Sequence, residues 1–329
     1  MIQFRRRVLG LSEETVDFQQ RGFRGAPAFM RNRLENVGGA FVAGYHLALE
    51  SNSPEDLGSK LTEMDLERRG FAFEGAAMGL ALLDCLTPWR RDRIGKFLRG
   101  PGDAHAYMVH VGAGWVWARV PFGFRRRQKK LDPLLGWLAF DGWGFHGGFF
   151  HWPKYIAGQP APKKLSGYER RAFDQGLGRS LWFVNGGNIE LIAQTISNFS
   201  ADRQADLWSG IGLAATYAGI VSETSLGELR EKAGRFQPQL AQGAAFAAKA
   251  RQRADNLTDY TSLATKILCG LTAADAARLT DEALENLPAD SDVPAYEIWR
   301  RRIQSHFSQT ANSKRHEPGF PGFASSQFY

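Results

Sequence analysis

The sequence has little cysteine and no long apolar run, and both shortages limit the class of protein. Two cysteines, Cys85 and Cys269, cannot build the disulfide framework of a small secreted domain. No stretch reaches the ~20 consecutive apolar residues of a membrane-spanning helix, and too few apolar residues stand before Ser12 for a signal peptide. We therefore expect a soluble, cytoplasmic protein.

Signatures of common catalytic and nucleotide-binding sites are missing as well. The sequence has no G-x-x-x-x-G-K-[ST], H-E-x-x-H, G-x-S-x-G or paired C-x-x-C motif. Residues 142–147 space their glycines as G-x-G-x-x-G, but no strand is predicted before them and no acidic residue follows about 20 positions later. Runs of alternating Val, Ile and Thr are also absent, so strands are not expected to dominate.

Apolar residues and glycine are plentiful. Of the 329 residues, 43% are hydrophobic, which is enough for a large buried core, and 36 are glycine. The net charge of +7 is basic without reaching the extreme of a nucleic-acid coat protein. The composition therefore predicts a globular protein in which glycine has a particular role.

Glycine recurs in seven apolar segments at intervals of about 34 residues, the size of a helical-hairpin repeat. Several of these segments follow a second helical pattern, and capping residues at Ser225 and Thr272 predict helix starts there. The sequence therefore predicts an all-α fold of helical-hairpin repeats, packed as a curved array or a compact helical domain. A loop around Gly142 remains the alternative. The seven glycines are Gly39, Gly75, Gly112, Gly142, Gly176, Gly210 and Gly243.

Composition changes once, near the C-terminal end. Residues 1–307 contain no low-complexity linker, and residues 159–164 are the best candidate for an internal loop. Residues 308–329 are rich in Gly, Pro and Ser. We expect one helical-repeat domain over residues 1–307 and a tail over residues 308–329 that is extended or poorly ordered.

Several long stretches resemble the UnbL-type proteins of enediyne core cassettes, formally a domain of unknown function. They are RGFAFEGAAMGLALLD, YMVHVGAGW, LDPLLGWLAFDGWGFHGGFFHW, RRAFDQGLGRSLWF, LWSGIGLAATYAG and PAYEIWRRRI. The resemblance implies a role in enediyne-type polyketide, and so antibiotic, biosynthesis, where a linear polyene becomes the enediyne core. It also implies UnbV-like and UnbU-like cassette proteins as partners. It carries over no catalytic residue and no cofactor, which stays unknown.

Polar residues stand beside several repeat glycines and predict a shared row. Parallel stacking of the glycine helices would bring carboxylates, imidazoles and amides together, a set able to supply a general acid and base. The alternative is a structural ladder of hydrogen bonds between repeats. Candidate catalytic residues are Glu74, Asp141, His146 and Asp174, and candidate substrate-binding residues are His110, Trp143, Gln175, Arg179 and Gln242.

Histidines and basic segments offer weaker signals. His105 with His110, and His146 with His151, are five residues apart and do not share a helix face, so we predict no metal site. The basic segment that starts at Arg125 and ends at Lys130 is either a solvated turn or a contact for an acidic partner or a membrane surface. No nucleic-acid motif accompanies it.

Two functions follow, and the sequence does not decide between them. In the first, the protein is accessory or catalytic and holds or acts on a hydrophobic polyene-derived intermediate in an aromatic groove. Five tryptophans close in sequence motivate that groove: Trp115, Trp117, Trp137, Trp143 and Trp152. In the second, a non-catalytic helical scaffold bridges partner proteins of the same cassette. Whether the protein is an enzyme stays open.

Overall fold

A computed structural model describes residues 2–87, 92–219 and 221–315, and within these ranges it contains α-helices and no strand. The all-α prediction is therefore confirmed. The helices are α1 (Ile2–Leu9), α2 (Ala28–Glu50), α3 (Pro54–Thr62), α4 (Arg69–Leu86), α5 (Arg93–Leu98), α6 (Ala106–Arg119), α7 (Phe124–Gln128), α8 (Leu138–Phe150), α9 (Tyr168–Val184), α10 (Ile189–Ser197), α11 (Ala201–Ala218), α12 (Glu223–Ala233), α13 (Gln237–Arg253), α14 (Asp259–Cys269), α15 (Ala273–Glu282) and α16 (Ala295–Arg315).

The helices that carry the seven glycines form the core of the fold. In chain order they are α2, α4, α6, α8, α9, α11 and α13, and each packs against the one before it. They are buried almost all round, which fits their apolar sequences. Shorter helices such as α3, α10 and α12 bury only one side, and their polar residues face solvent.

Glycine allows these core helices to approach backbone to backbone. A Cβ added at Gly112 would overlap the carbonyl oxygen of Glu74, and one at Gly176 would overlap that of Asp141. The same contact recurs at Gly75, Gly142, Gly210 and Gly243, always against a carbonyl of the preceding core helix. Glycine inside a helix lowers stability by up to ~1 kcal/mol relative to alanine. Here it allows the helices to pack closely, because a side chain at these positions would keep them apart.

The register predicted for the first core helix is wrong. Nothing lies within 4 Å of a Cβ added at Gly39, whereas one at Gly44 would overlap the carbonyl of Ala72 in α4. The close-approach glycine of α2 is therefore Gly44. The glycines around Gly142 all lie in α8, so the loop alternative for them is also wrong.

One predicted helix start is wrong and another is confirmed. Helix α12 begins one turn before Ser225, because Ser222 is its cap and its hydroxyl accepts the N–H of Ser225 at 3.2 Å. Helix α15 begins as predicted, with the Thr272 hydroxyl accepting the N–H of Asp275 at 3.1 Å.

The last helix continues beyond the predicted end of the domain. Helix α16 runs to Arg315, so the first residues of the predicted tail are helical. Residues 316–329 lie outside the described residues, and the extended tail predicted there stays a prediction. Residues 159–164 lie in an irregular segment between α8 and α9, as expected.

The row of core helices turns back on itself. Arg251 near the end of α13 donates to the carbonyl of Glu67, just before α4, at 3.1 Å. Tyr217 of α11 packs edge-on against Phe71 of α4, with ring centroids 5.2 Å apart. Helices α11 and α13, at the end of the row, therefore contact the region where α4 begins, and the molecule is compact. None of the described helices combines the length and apolarity needed to cross a membrane.

Candidate functional site

Two carboxylates from different core helices share one arginine at the centre of the fold. Arg179 of α9 donates from Nη1 to Asp141 Oδ1 of α8 at 2.5 Å, and its Nη2 lies 3.7 Å from Glu74 Oε1 of α4. All three side chains are buried. Trp115 Nε1 also donates to Glu74 Oε1, at 2.9 Å. The structure thus brings together three predicted site residues and one tryptophan of the predicted aromatic groove.

Burial dominates the electrostatics of Glu74. Removal from water raises the pKa of this carboxyl to about 7, and the Arg179 charge and the Trp115 hydrogen bond oppose that rise only in part. The negative charge of Asp141 raises it further. A carboxyl with a pKa near 7 exists in both protonation states at neutral pH and can therefore give or take a proton.

Asp141 makes the contacts that the structural ladder predicts. Its Oδ2 accepts a hydrogen bond from Gln175 Nε2 of the next core helix at 2.8 Å. The Gln175 amide also donates to the hydroxyl of Tyr296 at 3.3 Å, which connects α9 to α16. Asp141 and Gln175 therefore hold Arg179 and neighbouring helices in place, and neither lines the cavity described next.

Glu74 and Arg179 line a small aromatic cavity. The cavity has a volume of about 30 Å³, and we call it the aromatic cavity. Trp115 forms part of its wall, with its ring centroid 4.2 Å from that of Phe41 and 5.2 Å from that of Phe145. The Arg179 guanidinium lies 4.9 Å from the Phe145 ring centroid, a cation–π contact. Phe149 and Phe183 complete this part of the lining.

An N-terminal segment covers the aromatic cavity. Leu11, Thr15 and Val16 line it from outside the core helices, and Val16 packs on Gly38, where no side chain stands in the way. The N–H of Leu11 donates to His46 Nε2 at 3.0 Å. A larger open cavity of about 800 Å³ shares Leu11, Val16 and Val42 with the first.

Two predicted catalytic residues, Asp174 and His146, do not line the aromatic cavity, although the His146 ring packs edge-on against Trp115 with centroids 5.7 Å apart. Asp174 pairs with Arg203, whose Nε donates to Oδ2 at 2.8 Å. Burial raises the pKa of Asp174 to about 6, although Arg203 opposes this. His146 accepts a hydrogen bond from Arg119 Nε at 3.2 Å, and burial together with that positive charge lowers its pKa well below the usual range. The four residues do not share one cavity.

Three predicted substrate-binding residues make structural contacts instead. His110 Nδ1 bonds to the carbonyl of Ala106 at 2.7 Å, within its own helix. Trp143 packs edge-on against Phe124, with centroids 5.2 Å apart. Gln242 Oε1 accepts from the hydroxyl of Ser209 at 2.9 Å. None of these three side chains lines the aromatic cavity.

Parts of the site have no local signal in the sequence. The covering segment at residues 11–16 matches no motif, and Phe149 and Phe183 look like ordinary core residues in their helices. A second buried charge cluster, in which Arg300 donates to Asp206 Oδ1 at 2.8 Å, was not predicted either. The run of arginines at 300–302 contained the only hint of that cluster.

The predicted basic segment is divided by the structure. Arg125 is bound to Glu169, with Nε to Oε1 at 2.8 Å and Nη2 to Oε2 at 2.7 Å, while about half of its side chain, 52%, stays exposed. Arg126, Arg127 and Lys130 line a separate cavity. Among the described residues, no three His, Cys, Asp or Glu side chains come together in a way that could hold a metal ion.

Comparison with known proteins gives a family and no function. No curated protein and no solved structure matches the chain. Residues 1–307 match a family described as "Protein of unknown function (DUF1702)". Because the match covers nearly the whole sequence, including the helices that carry Glu74, Asp141 and Arg179, the chain belongs to the DUF1702 family.

Proposed function

We propose that the protein binds a linear polyene-derived intermediate during formation of an enediyne-type core, and that Glu74 exchanges protons with it. The observation that carries this proposal is the position of Glu74, a buried carboxyl with a pKa of about 7 that lines an aromatic cavity. The resemblance of the sequence to UnbL-type proteins supports the choice of substrate class.

The chemistry of the cavity fits an apolar, unsaturated molecule. Its walls are mostly aromatic rings and aliphatic side chains, and its charged groups are Glu74 and Arg179. Such walls bind a flat conjugated chain through dispersion and burial of apolar surface. A carbonyl or other polar end of the ligand would find its partner at the Arg179 guanidinium.

Glu74 can move a double bond without any further reagent. In its protonated form it donates a proton to one carbon of the conjugated chain, and the resulting carboxylate then removes a proton from another carbon. Atoms and charge balance, and the acid is regenerated. Asp141 keeps Arg179 next to Glu74 through its 2.5 Å bond, so Asp141 is a positioning residue in this proposal.

Substrate entry requires the covering segment to move. At about 30 Å³ the closed cavity has room for little more than water, far below the ~300–1,000 Å³ of small-molecule sites. Displacement of Leu11–Val16 would join it to the neighbouring cavity of about 800 Å³, since both share Leu11 and Val16. The joined space would accommodate an extended chain.

The scaffold around the cavity is, in the same proposal, a set of helical hairpins of about 34 residues each. The recurring glycine-to-carbonyl contact between successive core helices supports this view. The resemblance also leads us to propose UnbV-like and UnbU-like proteins as partners.

The test is gene deletion and complementation in a strain that makes such a core. Deletion is expected to abolish the core product while polyene shunt products persist. Wild-type gene and Glu55→Gln, which changes an exposed carboxylate at the start of α3, should restore the product. Glu74→Gln, which keeps the shape but cannot ionise, should not restore it.

Two results would overturn the proposal. An unchanged product titre after deletion would contradict the proposed role in this pathway. Full restoration of the product by Glu74→Gln would contradict the proposed proton transfer by Glu74. If Glu74→Gln restores the product fully, and the purified protein binds no polyene but forms a stoichiometric complex with the UnbV-like or UnbU-like protein, the protein is a scaffold.

A further inference from the structure

A second cavity lies between α4, α5, α6 and α7, on the other side of α6 from the aromatic cavity. Trp117 lines the second cavity and Trp115 lines the first. These two residues are about 200° apart around the helix, at 100° per residue. The second cavity has a volume of about 270 Å³, near the lower end of the ~300–1,000 Å³ range of small-molecule sites.

Cationic and apolar side chains line this second cavity together, and we call it the basic cavity. The apolar part consists of Ala81, Ala113 and Trp117 with two further aliphatic side chains. The cations are Arg126, Arg127 and Lys130. No side chain is shared between the basic cavity and the aromatic cavity.

The acids in the lining are already paired with other groups. Asp84 accepts hydrogen bonds from the N–H and the guanidinium of Arg93, at 3.1 Å and 3.0 Å. Asp92 accepts from Arg99 Nη2 at 2.6 Å. Neither carboxylate therefore neutralises the three cations of the lining.

The cations have no carboxylate partner within the described chain. Arg127 donates from Nη2 to the carbonyl of Val120 at 2.6 Å, and its buried Nε has no hydrogen-bond partner among the described residues. The side chains of Arg126 and Lys130 make no ion pair or hydrogen bond with the described residues, in contrast to Arg125, which binds Glu169.

From this arrangement we infer that the basic cavity binds a single-chain organic anion, with a carboxylate or phosphate monoester as its head group. The head group lies against Arg126, Arg127 and Lys130, and the hydrocarbon chain packs on Trp117, Ala81 and Ala113. Guanidinium and ammonium groups without a carboxylate partner can bind the anionic head group, and the apolar surface beside them can bind the hydrocarbon chain of the same molecule. The inference does not depend on the function proposed for Glu74.

The same head-group chemistry occurs in free amphiphiles and on anionic membranes. Variants with a filled cavity distinguish the two, because only a free amphiphile needs the space inside the cavity for its chain. Binding is measured calorimetrically with decanoate and decyl phosphate below their aggregation concentrations. Decyltrimethylammonium and inorganic phosphate are the comparison probes. A parallel assay measures sedimentation with phosphatidylglycerol vesicles.

We expect one decanoate or decyl phosphate per chain, and at least tenfold weaker binding of decyltrimethylammonium and of inorganic phosphate. The double variant Arg126→Gln, Lys130→Gln should weaken decanoate binding about fivefold or more, in line with two exposed charge pairs. Lys129→Gln is the matched control, because Lys129 is exposed and does not line the cavity, and it should leave binding unchanged.

Filling the cavity should abolish binding of the free anions. Ala113→Leu places a larger side chain in the space for the hydrocarbon, and Ala81→Leu does the same from α4 in case the first variant does not fold. Thermal unfolding identifies the folded variant. Equal binding of anion and cation would overturn the inference. So would unchanged decanoate binding by a folded Leu variant, or binding to vesicles alone.

Discussion

At the scale of single residues, the environment of Glu74 is unusual because one guanidinium, that of Arg179, pairs with two buried carboxylates, those of Glu74 and Asp141. Arg179 lies closer to Asp141, at 2.5 Å, than to Glu74, at 3.7 Å. The nearer carboxylate therefore receives more of the compensating charge. Burial raises the pKa of Glu74, the carboxyl farther from Arg179, to about 7. The two carboxylates thus differ in their distance from the shared cation.

The raised pKa of Glu74 makes a prediction about stability and pH. A carboxyl whose pKa rises from an ordinary 4.5 to about 7 on folding binds its proton more tightly in the folded chain. Its contribution to stability is therefore largest below pH 4.5 and falls as the pH rises towards 7. Glu74→Gln removes this dependence, so the variant should gain stability relative to wild type by about 1 kcal/mol per pH unit across that window.

Urea unfolding at several pH values between 5 and 8 measures this difference. Glu55→Gln serves as the control, because it makes the same chemical replacement at an exposed carboxylate. A difference between Glu74→Gln and wild type that stays constant over this range would mean that Glu74 does not titrate there.

At the scale of helices, the close approach of core helices depends on particular glycines and not on glycine content. Gly39 and Gly44 lie in the same helix, α2, five residues apart. A Cβ at Gly44 would overlap the Ala72 carbonyl, while nothing lies within 4 Å of one at Gly39. Replacing each of these two glycines therefore measures a different effect in the same helix: helix propensity at Gly39 and helix packing at Gly44.

Alanine at these two positions should have opposite effects. Gly44→Ala forces α2 and α4 apart, and an overpacked contact of this kind costs about 1–3 kcal/mol or more. Gly39→Ala meets no neighbour and should stabilise the protein by up to ~1 kcal/mol through helix propensity. Chemical denaturation midpoints measure both. Equal losses at the two positions would show that α2 and α4 do not pack through Gly44.

Periodic patterns in the sequence predicted most helices, because an amphipathic helix leaves a local signal. Helices α3 and α10 are examples, each with apolar residues on one side and an N-cap at Ser53 or Asn188. The register of α2 was not predictable in the same way. Glycine is so frequent that both Gly39 and Gly44 fit the spacing, and only contact with α4 distinguishes them.

The candidate site was predictable in part for the same reason. Glu74 and Asp141 stand beside repeat glycines, and helix packing brings such positions together. The pairing of Asp174 with Arg203 depends on a side chain from the neighbouring helix α11, and no sequence spacing indicated that partner. The covering segment depends on contacts such as Leu11 with His46, which are 35 residues apart in sequence.

At the scale of the whole molecule, contacts between its ends decide whether the helices behave as an open array or as one unit. In an open array each unit contacts only its neighbours, and terminal units open independently. Here the buried Arg251 of α13 donates to the carbonyls of Tyr217 at 2.6 Å, Asn256 at 3.0 Å and Glu67 at 3.1 Å. The last of these contacts joins α13 to the segment before α4.

Arg251→Ala should therefore destabilise the start and the end of the core together. The change leaves three carbonyls without their donor and removes a guanidinium 4.1 Å from the Tyr217 ring centroid, a loss of about 3 kcal/mol or more by the usual cost of unpaired buried groups. Native-state hydrogen exchange should show the slowest amides of α4 and α13 losing protection by the same amount. Arg253→Ala removes an exposed ion pair with Asp103 at 3.0 Å and an exposed hydrogen bond to the Asp103 carbonyl at 3.2 Å, and it should change protection by less than about 1 kcal/mol. Loss of protection confined to α13 and the helices after it would instead identify an open array, in which the contact with Glu67 contributes little to stability.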